Sequence, residues 1–552
     1  MEGSSNSRGQ AAARRARVVG LHLHASAMDA APLRLPLHTH YTSSSSSSSS
    51  SSLPPVVSTV LSAYEETEVV VIGAGIAGSA LAHALGTDGR RVVLIERDLR
   101  EPNRIVGELL QPGGLSALRN LGLGACVEGI DGVEVKGYAV MSGPEGSEGV
   151  ALPYPEPDGE TVRGVSFHHG RFVMQLRRAA ARAPNVKVVE GTVTKLIKEM
   201  RHGQETVVGV EYKAKDGLKQ VRSALTVVCD GCFSRFRDQL EEATPRNVSK
   251  FVGVLMNGAP LMHANHGHVF LIEPAPALAY QISSEDTRML IDIPVDTPGT
   301  SAKELPNYLR RVTAPQLPPV VRAAFLEALD NGQIRSMPNS KLHPRPFRWP
   351  NGAIFVGDCY NMRHPLTGGG MSVAFNDVVI LRDTLRHIKD LANARAVASA
   401  IKEWHSLRYP TASTVNILSY CLYTLFASGP GTTLGPMREA CMGYFKLGGI
   451  CASGPMNLLA ITKAKPWILM THFFMVALYG TAYALAPFPS PARVWGALKV
   501  LLAASGVFFP VAKEEQMFSF LFNHVLTLPY YPLLPHPSSP FTPGPYPLGL
   551  GF

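Results

Sequence analysis

The chain has 552 residues, 45% of them hydrophobic and 17% charged, which excludes a disordered polymer and predicts at least two folded units. A formal charge of +9 is not gathered into a basic stripe with interleaved aromatics, so no nucleic-acid partner is expected. Seven cysteines without a paired pattern argue against a disulfide-stapled secreted scaffold and suit a reducing compartment.

The first 64 residues hold five arginines, no lysine and only Glu2 and Asp29 as acids, and they close on ten serines, Ser43 to Ser52, followed by Leu53-Pro54-Pro55. Residues 1–66 therefore read as a disordered leader with the composition either of an organelle transit peptide or of an untargeted extension. It contains no apolar run near the ~20 residues that span a bilayer, so no N-terminal anchor is expected. From Glu68 to about Tyr409, strand-like apolar runs alternate with helical patterns and glycine turns. That texture predicts an α/β body with inserted antiparallel strands, assigned to residues 67–446.

Between Leu447 and Pro510 there is no acidic residue, and Lys463, Lys465, Arg493 and Lys499 are the only formal cations. Residues 447–528 are expected to form hydrophobic membrane-associated helices. Trp467 to Ala486 is 20 residues long and lacks a formal charge, enough to cross a ~30 Å core. Val494 to Phe509 is shorter and carries Lys499, which fits an in-plane or hairpin helix with a snorkelling lysine. The alternative is a pair of buried helices capping the body. Trp467 and Trp495 beside basic residues favour the membrane. Residues 529–552 form a Pro-rich tail.

The chemistry begins at Val69-Val70-Val71-Ile72, a buried-strand run that enters Gly73-Ala74-Gly75-Ile76-Ala77-Gly78 and then a helical segment. In a dinucleotide fold Gly73 serves the tight turn, Gly75 the approach of backbone to pyrophosphate, and Gly78 close helix packing. A second strand ends in Glu96, 21 positions beyond Gly75. A carboxylate there accepts hydrogen bonds from an adenosine ribose and disfavours a 2′-phosphate, pointing to FAD or NAD. Two further strands lead into Cys229-Asp230-Gly231 and Gly357-Asp358, and Gly368-Gly369-Gly370-Met371 opens another helix. Asp358 can accept from a ribityl hydroxyl, and a helix N-terminus near a flavin stabilises its anionic reduced ring. These features select FAD. Cys229 and Cys232 form a nominal CxxC, but no second ligand pair or thioredoxin-like context accompanies it, so both thiols read as structural. The histidines His168, His169, His263, His266 and His268 lack the company of a ligand set, so no metal is expected. No GxSxG nucleophile elbow is present, which leaves the difficult chemistry to the flavin.

The strings GAGIAGSALAHAL, IERDLREPNRIVGELLQPGG, FHHGRFVMQLR, VVCDGCFSRFR and FVGDCYNMRHPLTGGGMSVAFNDV together resemble the squalene monooxygenases (squalene epoxidases), membrane-associated FAD enzymes related to the aromatic hydroxylases. The resemblance implies a Rossmann-type FAD domain, a β-sheet substrate domain and C-terminal helices that hold the body monotopically on the endoplasmic reticulum. It implies epoxidation of squalene to (S)-2,3-epoxysqualene with dioxygen in sterol or triterpenoid biosynthesis. The resemblance implies electrons from NADPH through NADPH-cytochrome P450 reductase; only one glycine-rich nucleotide fold is visible, although single-component hydroxylases bind NAD(P)H without a second one, and Arg235 and Arg237 either dock that acidic partner or serve the Asp230 turn. Carried onto this sequence, FAD contacts fall on Ile76, Ala77, Glu96, Arg97, Arg104, Leu109, Arg177, Val193, Asp358 and Met371, beside the three glycines. Tyr138 matches the active-site tyrosine, with Gln111 as its expected partner near the flavin. The rival readings are another isoprenoid-acting FAD oxidoreductase, such as a prenyl reductase, and a non-catalytic membrane flavoprotein.

Overall fold

Val69 to Ile72 can be apolar at every position because the strand that carries them, Glu65–Ile72, is buried on both sides. A computed structural model describes residues 65–143, 148–156, 162–240, 244–332, 334–343 and 349–518. Most of the leader and all of the Pro-rich tail lie outside the described residues, although Glu65 and Glu66 already belong to the first strand. That strand is central in a seven-stranded sheet ordered Val186–Glu190, Val92–Glu96, Glu65–Ile72, Gly217–Val228, Gln204–Ala214, Thr192–Arg201, with Ala353–Phe355 pairing on Gly217–Val228. The first four and Ala353–Phe355 run parallel, and the last two add an antiparallel hairpin. Ile72 pairs with Ile95 and Val228, and Val228 with Phe355. The residues that follow, Gly73, Glu96, Cys229 and Val356, are therefore brought to one sheet edge, the usual place for a ligand in an α/β crevice.

A second seven-stranded sheet runs in the order Ile334–Lys341, Arg246–Asn257, Asp286–Pro294, Ala277–Gln281, His266–Phe270, Gly137–Ser142, Glu148–Pro153. Alternation assigns its faces. Ala139, Met141, Val252, Val254 and Met289 pack with Val321 and Phe325 of the helix Pro319–Asp330, whereas Tyr138, Val140, Phe251 and Leu290 face the other way. This second face shares one apolar cluster with Phe445, Phe473 and Phe508 of the C-terminal helices.

Those helices are Ala394–Phe426, Gly435–Lys446, Gly449–Leu459, Pro466–Leu485 and Pro491–Glu514. The first runs 33 residues straight through the point near Tyr409 where the alternating texture fades. The last is longer than the expected Val494 to Phe509: Pro491 needs no N–H partner at the first helical position, the Ser490 hydroxyl accepts from the Arg493 N–H, and the helix continues through Pro510. Only 22% and 28% of the most apolar windows of Pro466–Leu485 and Pro491–Glu514 are buried, which removes the reading of both as core helices. Trp467, Tyr483, Phe488 and Trp495 are more than half exposed, and the Lys499 ammonium lies 5.7 Å from the Trp495 ring centroid.

Candidate active site

At the sheet edge the glycine turn is fixed by sterics. Gly73 has φ +96°, and a Cβ there would lie 2.6 Å from the Cys229 carbonyl oxygen; at Gly78 it would lie 1.9 Å from that of Gly73. A Cβ on Gly75 meets nothing within 4 Å, so Gly75 opens its backbone to the crevice at the start of the helix Ile76–Thr87. Glu96 is held in place by accepting from the Ala74 N–H at 2.7 Å and the Asp98 N–H at 3.2 Å. Arg177 staples the two elements: its guanidinium donates to the carbonyls of Ala74 at 2.8 Å and Arg100 at 2.9 Å, and it lies 3.6 Å from the Glu96 carboxylate.

The second approach comes from Gly357, at φ +81°, and Asp358 in the short turn Gly357–Cys359. Arg237 reaches this turn from within, donating to Cys359 O at 3.1 Å, Cys232 O at 2.7 Å and Asp358 O at 3.2 Å. Of the two readings of these arginines, service to the Asp230 turn fits both: the Arg237 guanidinium joins the two aspartate turns, and the Arg235 N–H donates to Asp230 Oδ2 at 2.9 Å while Arg235 itself is exposed. The helix Gly370–Arg386 then presents its N-terminus and Met371 to the same space.

A cavity of ≈ 1560 Å³, counted out to its open mouth, is lined on this side by Gly75, Ile76, Ala77, Arg104, Asp358, Gly370 and Met371. The second sheet and its neighbours supply Val106, Leu109, Tyr138, Leu278, Tyr280 and Leu290 opposite. Gln111, fully buried, donates to the Tyr138 oxygen at 2.5 Å and to Thr367 O at 2.7 Å. Burial pushes the Tyr138 phenol up to about 12, so it stays protonated at neutral pH.

Of the expected residues, Gly73, Gly78, Glu96, Arg177 and Gln111 support the cavity from behind its lining. Arg97 is exposed at the end of its strand, and Val193 is packed in the sheet core opposite Tyr212; neither lines the cavity. Cys229 and Cys232 both do, with thiol pKa values raised by burial. His168 pairs with Asp286 at 2.8 Å. His169 and His268 line the cavity, a role their sequence context did not suggest. Two more participants escaped sequence reasoning. Glu108 forms a buried two-point ion pair with Arg288, at 2.9 and 3.0 Å; its signal was a lone charge in the apolar run Gly107-Glu108-Leu109-Leu110. Tyr154, between two prolines, donates to the Gln111 amide oxygen at 2.6 Å.

These residues fit FAD. Two helix N-termini open on one cavity, and a Cβ at Gly75 or Gly370 meets nothing within 4 Å, as a backbone cradle for a ligand requires. Residues 71–100 match a Rossmann-like NAD(P)-binding domain family. An HpxO variant from Klebsiella pneumoniae complexed with FAD, 20% identical, superposes with a TM-score of 0.57 over 73% of this chain and 100% of its own. Fold and cavity together define a protein of the Rossmann-type, FAD-binding fold class. Residues 222–495 match the squalene epoxidase family. Squalene epoxidase 1 of Arabidopsis thaliana is 46% identical over 84% of this chain and 86% of its own length. The squalene monooxygenase of Mus musculus is 43% identical over 84% and 80%. The chain belongs to the squalene epoxidase family.

Proposed function

We propose that this protein epoxidises a terminal double bond of squalene, giving (S)-2,3-epoxysqualene for sterol or triterpenoid synthesis. The observation that carries the reading is a single cavity in which dinucleotide-binding glycine turns face an apolar wall of Val106, Leu109, Leu278 and Leu290. Bound FAD supplies the activation of dioxygen. Gly73, Gly75, Ile76, Ala77 and Gly78 take the pyrophosphate end, Glu96 the ribose, and Asp358 and Met371 the ribityl and ring end, with Arg104, Leu109 and Arg177 alongside. Arg97, exposed next to Glu96, would contribute from the ribose side. The apolar wall orients the alkene and excludes water, while Tyr138, held by Gln111, directs a phenol toward the ring.

Residues 67–446 form the catalytic body in this reading and 447–528 the layer that docks on the endoplasmic reticulum membrane. NADPH would deliver electrons through NADPH-cytochrome P450 reductase on the same membrane; among the described residues only Gly73 to Gly78 forms a GxGxxG turn after a parallel strand. The test supplies purified protein, FAD, reductase and NADPH with squalene under isotopically heavy dioxygen. Product carrying one heavy oxygen atom is expected. Unlabelled product, or turnover at full rate without reductase, would overturn the oxygenase reading or the donor assignment respectively.

A further inference from the structure

We propose that Tyr154 is a positioning residue, resting on the functional reading above: it holds the Gln111 amide so that its N–H, not its oxygen, faces the Tyr138 phenol at the cofactor wall. The orientation of that amide follows from donor and acceptor chemistry. Gln111 is fully buried, and its Nε2 lies 2.7 Å from the Thr367 carbonyl oxygen, which can only accept. The nitrogen therefore faces Thr367 and its second hydrogen goes to the Tyr138 oxygen, 2.5 Å away. The amide oxygen is left on the other side, where the Tyr154 hydroxyl donates to it at 2.6 Å.

Tyr138 thus receives a hydrogen from Gln111 and, bonded to the neighbouring Tyr154 phenol as well, keeps its own hydrogen off the Gln111 amide. Its side chain lines the cavity, and a Cβ on Gly368, in the turn before the helix Gly370–Arg386, would lie 3.6 Å from its oxygen. The hydroxyl therefore stands at the cofactor wall. Strand pairing positions Tyr154 for this task. Tyr138 pairs with Leu152 and Gly137 with Pro153, the Tyr154 N–H donates to Lys136 O at 2.8 Å, and the two tyrosine rings meet edge to face, 6.3 Å apart.

Without the Tyr154 hydroxyl, the Gln111 oxygen would be a buried acceptor lacking its donor, an unfavourable state. The phenol already at the amide is Tyr138, which would turn its hydrogen onto Gln111 and reverse their bond. Tyr154 and Tyr138 compete for one acceptor, and Tyr154 holds it.

The experiment compares full-length Y154F, Y138F and the double variant, each loaded with FAD. Y154F should shift the flavin visible absorbance in the same direction as Y138F. It should lower kcat roughly tenfold with KM little changed, and the double variant should be no worse than Y138F. A flavin-bearing Y154F with wild-type spectrum and kcat, or losses that multiply in the double variant, would overturn the inference alone. Wild-type protein that retains no FAD would overturn the functional reading as well. If Y154F does not fold, Gln111→Met combined with Tyr154→Phe removes the unpaired acceptor. With no amide oxygen left to draw the Tyr138 hydrogen, that pair should not carry the Y138F-type spectrum, and a Y138F-type spectrum there would defeat the proposal.

Discussion

The two walls of the cavity are made by opposite means. One is backbone: at Gly73 and Gly78 a single added carbon would collide with main-chain oxygen at 2.6 and 1.9 Å. The other is side chain, tied together by bonds that join Gln111 to Tyr138 across 27 residues, Glu108 to Arg288 across 180 and Gln111 to Thr367 across 256. The first wall fails by overlap and the second by loss of a partner, so substitutions on the two should leave different signatures.

The largest effect is expected on the side-chain wall. Glu108→Gln leaves Arg288 buried without its counter-charge, and urea unfolding should report a loss of about 3–5 kcal/mol. A loss below ~1 kcal/mol would mean that the pair is not a fixture of the wall. Next comes the backbone wall, where Gly78→Ala should cost about 1–3 kcal/mol through overpacking against Gly73. Gly75→Ala separates the two parts of that wall: its Cβ enters open space, so the melting temperature should hold while FAD affinity falls by at least about tenfold, or ~1.4 kcal/mol. Equal melting losses for both alanines would break the comparison. Tyr138→Phe should retain FAD and fold and reduce kcat by about tenfold or more, measured as epoxide formed.

The contrast also explains what could be read from the sequence. A backbone wall is written in local spacing, so Gly73, Gly75, Gly78, Glu96 and Asp358 declared themselves before any fold was known. The pairing of Gln111 with Tyr138 came from resemblance, because nothing local to either residue names the other. Glu108 with Arg288, and Tyr154 with Gln111, were not legible, since their meaning depends on which strands of the second sheet lie together. The choice for Arg237 between docking a partner and serving the Asp230 turn stayed open for a related reason: one sequence cannot tell an arginine facing solvent from one donating to carbonyls of a turn more than a hundred residues away.

The smallest effect at neutral pH concerns His169, which lines the cavity with its Nδ1 2.8 Å from Gly107 O. Burial, followed by the charge of Arg104, pulls its pKa down to about 4. The unfolded chain binds a proton there below about 6.5 while the folded chain does not. This group therefore makes stability rise with pH from about 4 to 6.5, with no further change above. His169→Gln should flatten the dependence of the urea midpoint on pH within that window by up to about one proton; an unchanged slope would show that other groups set it.

The exposed apolar flank of Pro466–Leu485 and Pro491–Glu514 bears on how saturation should be expressed. Docked on a bilayer as proposed, the enzyme meets its hydrocarbon in two dimensions, and the quantity that fills the cavity is the mole fraction of squalene among lipids. Diluting vesicles at fixed composition would then leave the half-saturation point untouched, whereas adding plain lipid at fixed total squalene would raise it. A Michaelis constant quoted in moles per litre would describe the assay tube; quoted per lipid, it would describe the protein.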